Sequence, residues 1–330
     1  MFKHSKKFGR LMTMLMVVVM LVSVLSLGAF AETGVFSGGT VTITKTLTKN
    51  QNAYAPNTSF SFAVATAGAG TYNGKVVYEG VGTPTVGAPV AFTPRGDDIG
   101  KTTVTGTTTI TFAENTFSKP GIYHYTVTET AGSYDGITYD DTVKNLYVYV
   151  VNGEDGALKI DGVVMTDSSG KSDGFTNEYT TNDLTITKTV EGNQGDENKD
   201  FNFTVEVDGA TGEQYKLVVN GTATVLTSGT AVDITLKHDQ SATIYGLSAN
   251  DTYTVTEEDY TIDGYTTTVN GTSGHEATGK ITANTTVAFV NSKDAGSPTG
   301  VLMNIAPYAI MIVLAGVCAV LFLRKKNHEA

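Results

Sequence analysis

The 330-residue sequence has no tryptophan, seven prolines and a single cysteine. With only Cys318, no internal disulfide can form, so the fold cannot rely on that covalent staple. Nor does it show a catalytic or metal-binding pattern. His124, His238 and His275 are scattered without ligand spacing, so no metal centre is expected. The acidic stretch 192–200 lacks the spacing of a calcium loop and reads as a solvated hairpin loop. Ser, His and Asp form no convincing nucleophile arrangement, so a turnover enzyme is not expected, and neither is a cofactor site. Basic residues are scarce as well: 22 Lys and Arg stand against 33 Asp and Glu, a net charge of −11. That balance excludes nucleic acid and anionic lipid as natural partners. Between the two ends there is no long apolar run and no amphipathic helical period.

Both ends carry apolar segments that read as processing signals and not as fold. Lys3, Lys6, Lys7 and Arg10 precede an apolar run over 11–30, and Ala29-Phe30-Ala31 fits a small-x-small cleavage site. A signal peptide over 1–31 is expected, with an uncleaved anchor helix as the alternative. At the far end, residues 301–323 carry no charge and are followed by Arg324, Lys325 and Lys326. That run is long enough to span a bilayer, with a basic stop on the inner side. Gly296-Ser297-Pro298-Thr299-Gly300 comes immediately before it. Removing 1–31 and 300–330 takes away seven basic residues and one acidic residue, leaving 15 and 32 and a net charge near −17.

Threonine, tyrosine and glycine are abundant in the remainder, the composition of short strands and turns. Four blocks recur there in the same order. Residues 42–50 match residues 185–193 at six of nine positions, and Tyr125-Thr126-Val127-Thr128-Glu129 recurs as Tyr253-Thr254-Val255-Thr256-Glu257. Phe60-Ser61-Phe62 is echoed by Phe201-Asn202-Phe203, and Phe175-Thr176-Asn177 by Phe289-Val290-Asn291. The repeat predicts two all-β domains, 32–180 and 181–295, each a β-sandwich, followed by the terminal segment 296–330.

Side chains two apart on a strand share a face. Val41, Ile43, Lys45 and Leu47 therefore form one face, opposite a row of threonines. Leu184, Ile186, Lys188 and Val190 do the same in the second copy. Glu129 falls with Tyr125 and Val127, and Glu257 with Tyr253 and Val255, whereas Glu258 falls outward. Asn177 lies with Phe175 and Tyr179, and Asn291 with Val287 and Phe289. Each domain is thus expected to bury one Lys, one Glu and one Asn on apolar faces. Unpaired buried charges are costly, so the three should meet. Two chemistries fit: a Lys–Glu ion pair capped by the Asn amide, or a covalent cross-link. Burial lowers the pKa of a lysine and raises that of a carboxylic acid. A neutral amine can then attack the Asn carboxamide, with loss of ammonia, while a protonated carboxyl polarises the carbonyl.

The order of these residues resembles the two-domain major pilins of streptococci, as do Tyr139-Asp140 and the run 147–156. The resemblance extends over essentially the whole chain and implies immunoglobulin-like (CnaB-like) domains with self-formed bonds between Lys45 and Asn177 and between Lys188 and Asn291. It gives Glu129 and Glu257 the role of promoting those bonds. The Thr-Gly pair, apolar span and basic tail resemble a cell-wall sorting signal, with Pro298 one place later than in Leu-Pro-x-Thr-Gly and no leading Leu. This implies cleavage by a sortase between Thr299 and Gly300, the alternative being a plain C-terminal membrane anchor. The implied partners are sortase, neighbouring copies of the chain and peptidoglycan, with minor pilins and a host surface beyond them. The Tyr-Pro-Lys-Asn acceptor motif of some pilins is absent. The acceptor expected in its place is Lys171, six residues before Asn177, with Lys144 and Lys159 as alternatives. A monomeric wall-anchored adhesin would need the sorting signal but no acceptor.

Overall fold

The computed structural model describes residues 33–154 and 156–295, together with positions 311, 312 and 315. The leader 1–31, Pro298, Thr299, Gly300 and almost all of the apolar span 301–323 lie outside the described residues. No described helix is long and apolar enough to cross a membrane. The chain divides into two compact units between Thr181 and Asn182. Apart from three short 3-10 turns, the regular structure of residues 33–295 is all strand.

The first unit packs a nine-stranded sheet against a five-stranded one. The nine-stranded sheet is centred on the strands Lys144–Asn152, Gly121–Thr130 and Thr58–Thr66. The five-stranded sheet places Thr40–Lys49 between Gly174–Tyr179 and Thr103–Thr111. Strict two-residue alternation forms these strands: Val41, Ile43 and Leu47 are fully buried, and the intervening threonines are at least partly exposed. Inward residues of both sheets merge into one core, including Phe60, Tyr125, Val148 and Phe175. The chain enters and leaves this core side by side. Thr40–Lys49 pairs in parallel with Gly174–Tyr179, which sets Lys45 opposite Phe175 and Leu47 opposite Asn177.

The second unit repeats the plan with a seven-stranded and a four-stranded sheet. Its strand Asn182–Glu191 pairs in parallel with Thr285–Ser292, setting Lys188 opposite Phe289 and Val190 opposite Asn291. The facing sheet carries Phe201–Asp208 beside Thr252–Glu257, and its inward side chains join the same core. Tight hairpins in both units turn on Asn-Gly pairs whose two residues have positive φ: 50° and 72° at Asn73-Gly74, and 49° and 84° at Asn220-Gly221. Asparagine and glycine tolerate that conformation, and the resulting turn matches strand twist.

Candidate functional site

The parallel pairing explains why a lysine and an asparagine meet in each core. In both units the Asn stands opposite the residue two positions beyond the Lys, so the two side chains emerge diagonally on one buried face. The Glu comes from the other layer. Glu129 lies on Gly121–Thr130, cross-strand from Phe62, and Glu257 lies on Thr252–Glu257, cross-strand from Phe203. Each carboxylate therefore reaches across the sandwich to the Lys and Asn of the opposite sheet.

In the first unit the contacts are short and divided. Lys45 Nζ donates to Glu129 Oε2 at 2.6 Å, and Asn177 Nδ2 donates to Glu129 Oε1 at 2.6 Å. The side chains of Lys45 and Glu129 are wholly buried. A third contact completes the set: the backbone N–H of Asp140 donates to Asn177 Oδ1 at 2.8 Å. Phe60 sits under the ammonium, its ring centre 4.8 Å from Lys45 Nζ, and Phe62 packs against Phe175 at 5.2 Å. The apolar walls strip water from the amine, and this burial lowers the Lys45 pKa despite the nearby Glu129 carboxylate.

In the second unit both nitrogens converge on a single oxygen. Lys188 Nζ lies 2.8 Å from Glu257 Oε1, and Asn291 Nδ2 donates to the same atom at 3.1 Å. Among the described residues, Glu257 Oε2 and Asn291 Oδ1 have no hydrogen-bond partner. Lys188 approaches Oε1 at ion-pair distance without a directed hydrogen bond. Phe201 lies 4.2 Å from Lys188 Nζ, and Phe203 packs edge-on against Phe289. Burial lowers the Lys188 pKa to about 8 and raises that of Glu257. Opposite shifts of this kind favour a neutral amine beside a protonated acid.

Other buried charges in the chain have different surroundings. Lys49 is a fifth inward residue on the Lys45 face, which alternation alone could not separate from Lys45. Its ammonium donates to the carbonyls of Ala53, Asp98 and Lys101 at 2.7–2.8 Å, a structural use of the charge. Glu213 and Asp251 flank the hydroxyl of Tyr215, at 2.9 and 3.0 Å. Glu258 is exposed and bonded to Asn202. Lys171 is exposed on the two-residue strand Gly170–Lys171, which pairs with Leu158–Asp167. Lys159 is exposed as well, whereas Lys144 is buried and ion-paired with Asp167 at 3.2 Å. No group of His, Cys, Asp and Glu able to hold a metal occurs among the described residues.

Sequence reading missed the amide donor of Asp140. Its signal was the Asp-x-Thr spacing, because Asp140 Oδ1 accepts from both the N–H and the hydroxyl of Thr142, forming an Asx turn. Asp140 Oδ2 also accepts from the backbone of Thr176, next to Asn177. The turn thereby aims the Asp140 N–H at the Asn177 carbonyl.

Fold and site together define a class: tandem β-sandwich modules, each with a buried Lys–Glu–Asn cluster joining its first long strand to its last. Residues 41–180 match a family model described as a Spy0128-like isopeptide containing domain, and residues 182–293 match a domain of unknown function, DUF7601. The chain belongs to the streptococcal-type major pilin family. It is 31% identical to a pilin of Streptococcus pyogenes serotype M1 over 277 residues, covering 76% of this chain and 80% of that protein. The crystal structure of the major pilin from Streptococcus pyogenes superposes with a TM-score of 0.61 at 29% identity, over 78% of this chain and 99% of that one. A pilus tip adhesin, Cpa, of Streptococcus pyogenes is 34% identical over 125 residues, which is 36% of this chain but 18% of the adhesin.

Proposed function

We propose that this chain is the shaft subunit of a Gram-positive surface pilus, joined to its neighbours by sortase and braced internally by two self-formed Lys–Asn isopeptide bonds. The observation that carries this reading is the buried Lys–Glu–Asn cluster, built twice on the same topology. Membership of the pilin family supports the fibre role.

The bond chemistry follows from the first-unit contacts. A proton passes from the Lys45 ammonium to Glu129 Oε2, leaving a neutral amine beside a carboxylic acid. The amine attacks Asn177 Cγ, and the carbonyl electron pair moves to Oδ1. Glu129 then gives this proton to Asn177 Nδ2 and, as a carboxylate again, takes a second proton from the attacking nitrogen. The C–N bond to Nδ2 breaks, ammonia leaves, and the carbonyl re-forms as an amide to Lys45. Glu129 is left protonated, so protons balance. Glu257 serves Lys188 and Asn291 in the same way. Each site reacts once, so the chain is not a turnover enzyme.

Assembly uses the ends of the chain and an exposed lysine. Sortase cleaves after Thr299 and passes its carbonyl to Lys171 of the next copy. The last transfer goes to peptidoglycan and fixes the fibre to the cell wall. Lys171 suits this role because it is exposed at a hairpin edge, whereas Lys144 is buried. Surface extracts boiled in detergent are expected to show a ladder of multimers. Lys171→Arg should abolish it, because a guanidinium stays protonated and is a poor nucleophile. A ladder that persists would move the acceptor to Lys159 or another lysine. A wild-type protein running only as a monomer would instead identify a wall-anchored adhesin.

A further inference from the structure

The two clusters share residue types but differ in what meets the asparagine carbonyl. In the first unit Asn177 Oδ1 accepts the N–H of Asp140 at 2.8 Å. In the second, Asn291 Oδ1 is buried and has no partner among the described residues. The difference has a cause in strand pairing. Beside the first-unit asparagine strand lies a strand of only two residues, Ile137–Thr138, paired with Tyr179 and Glu178. The chain leaves the ladder at Tyr139, so the next N–H, that of Asp140, is free to point at the Asn177 side chain. Beside the second-unit asparagine strand lies Thr266–Val269, which stays in register with it for four residues, from Thr266 opposite Ser292 to Val269 opposite Phe289. That ladder continues past Asn291, whose direct cross-strand neighbour is Thr267. Among the described residues the Thr267 hydroxyl is itself buried without a partner, so it does not supply the missing donor.

We propose that the Asp140 backbone N–H is an oxyanion-stabilising donor for the Lys45–Asn177 reaction, and that the second unit works without one, so that the first bond forms faster than the second. This rests on the cross-link reading above. As Lys45 attacks Cγ, the electron pair displaced onto Asn177 Oδ1 makes an alkoxide where the Asp140 N–H already points. A preorganised donor of this kind lowers the barrier most where charge develops, and inside a dry core its effect is large. It also withdraws electrons from the carbonyl before attack. The Asp140 side chain is a positioning group: by accepting from the Thr142 and Thr176 amides it holds its own N–H in place. The divided use of Glu129 adds to the contrast, since one oxygen serves the amine and the other the leaving nitrogen. In the second unit one oxygen serves both.

The test follows both bonds in the full chain made by cell-free translation. Samples are quenched in acid over time, and the cross-linked peptides containing Lys45–Asn177 and Lys188–Asn291 are quantified by mass spectrometry. In the wild type the first-unit bond should complete ahead of the second. Replacing Asp140 by its α-hydroxy analogue turns its N–H into an ester oxygen and leaves the side chain intact. This should slow the first bond by about 10²–10³-fold, the usual effect of losing one such donor, and leave the second bond unchanged as an internal control. An unchanged first-unit rate in the ester variant, or a second bond forming as fast as the first in the wild type, overturns the inference while the cross-links stand. If the ester variant does not fold, the wild-type order decides alone. A wild type with neither bond overturns both the inference and the cross-link reading.

Discussion

At the scale of single residues, the informative feature is a charged group where a methyl should be. Lys45 and Lys188 sit in rows of fully buried aliphatic side chains. The alternation of each strand made that legible from sequence, as it did for Glu257 over its exposed neighbour Glu258. It could not separate Lys45 from Lys49, because both obey the same period. Only the structure shows that Lys49 is surrounded by carbonyls and Lys45 by a carboxylate. The chemistry of Lys188 can be read through its titration. In Asn291→Ala no bond can form, so Lys188 remains an amine with a pKa of about 8, against 10.5 when unfolded. Between those values the unfolded chain holds a proton that the folded chain has released, so stability rises with pH, by on the order of 3 kcal/mol across the window. If the proposed bond forms in the wild type, the same nitrogen is an amide there and contributes no such rise. Denaturant unfolding of the second unit from pH 8 to 10.5 checks this. Parallel pH profiles for variant and wild type would contradict it.

At the scale of elements, the cluster ties the strand that opens each core to the strand that closes it. Lys45 and Asn177 are 132 positions apart (177 less 45), and Lys188 and Asn291 are 103 apart (291 less 188). By analogy with disulfides, closing loops of that length restricts the unfolded chain by about 4–5 kcal/mol at most. Asn177→Ala removes the acceptor of the proposed first bond but keeps the Lys45–Glu129 ion pair. It is expected to lower the first unit's unfolding temperature by on the order of 10–20 °C, given about 2–4 °C per kcal/mol for a domain of this size. The second unit's transition should stay where it is, since the two are separate compact units. Differential scanning calorimetry resolves the two outcomes: a shift in both transitions, or in neither, would show that the bond does not act as a local brace. The strands themselves were legible as alternating runs bounded by turn residues. Their pairing was not, because parallel neighbours are distant in sequence. For the same reason the early end of the strand Ile137–Thr138, which frees the Asp140 amide, had no sequence signature beyond its Asx turn.

At the scale of the whole molecule, two sandwich units, each braced by its proposed bond, would suit a fibre under tension. The proposed covalent bond between adjacent parallel strands would carry load from the entry of each unit to its exit and bypass the hydrogen-bond ladders between. It would also stand in for the disulfide that a chain with one cysteine cannot make. The twofold repeat of four short blocks was enough to anticipate two units, because each block supplies part of the same cluster: the lysine strand, its aromatic wall, the glutamate strand and the asparagine strand. The most direct measurement of the central claim is the intact mass of the folded, purified chain made without any partner protein. Each bond releases one ammonia, so the account predicts a mass below the sequence value by about 17 Da per bond, or about 34 Da in all. Glu129→Ala and Glu257→Ala should each restore one step, since each carboxyl serves its own unit. Full sequence mass in a correctly folded wild type would contradict the account and leave two buried ion pairs in its place.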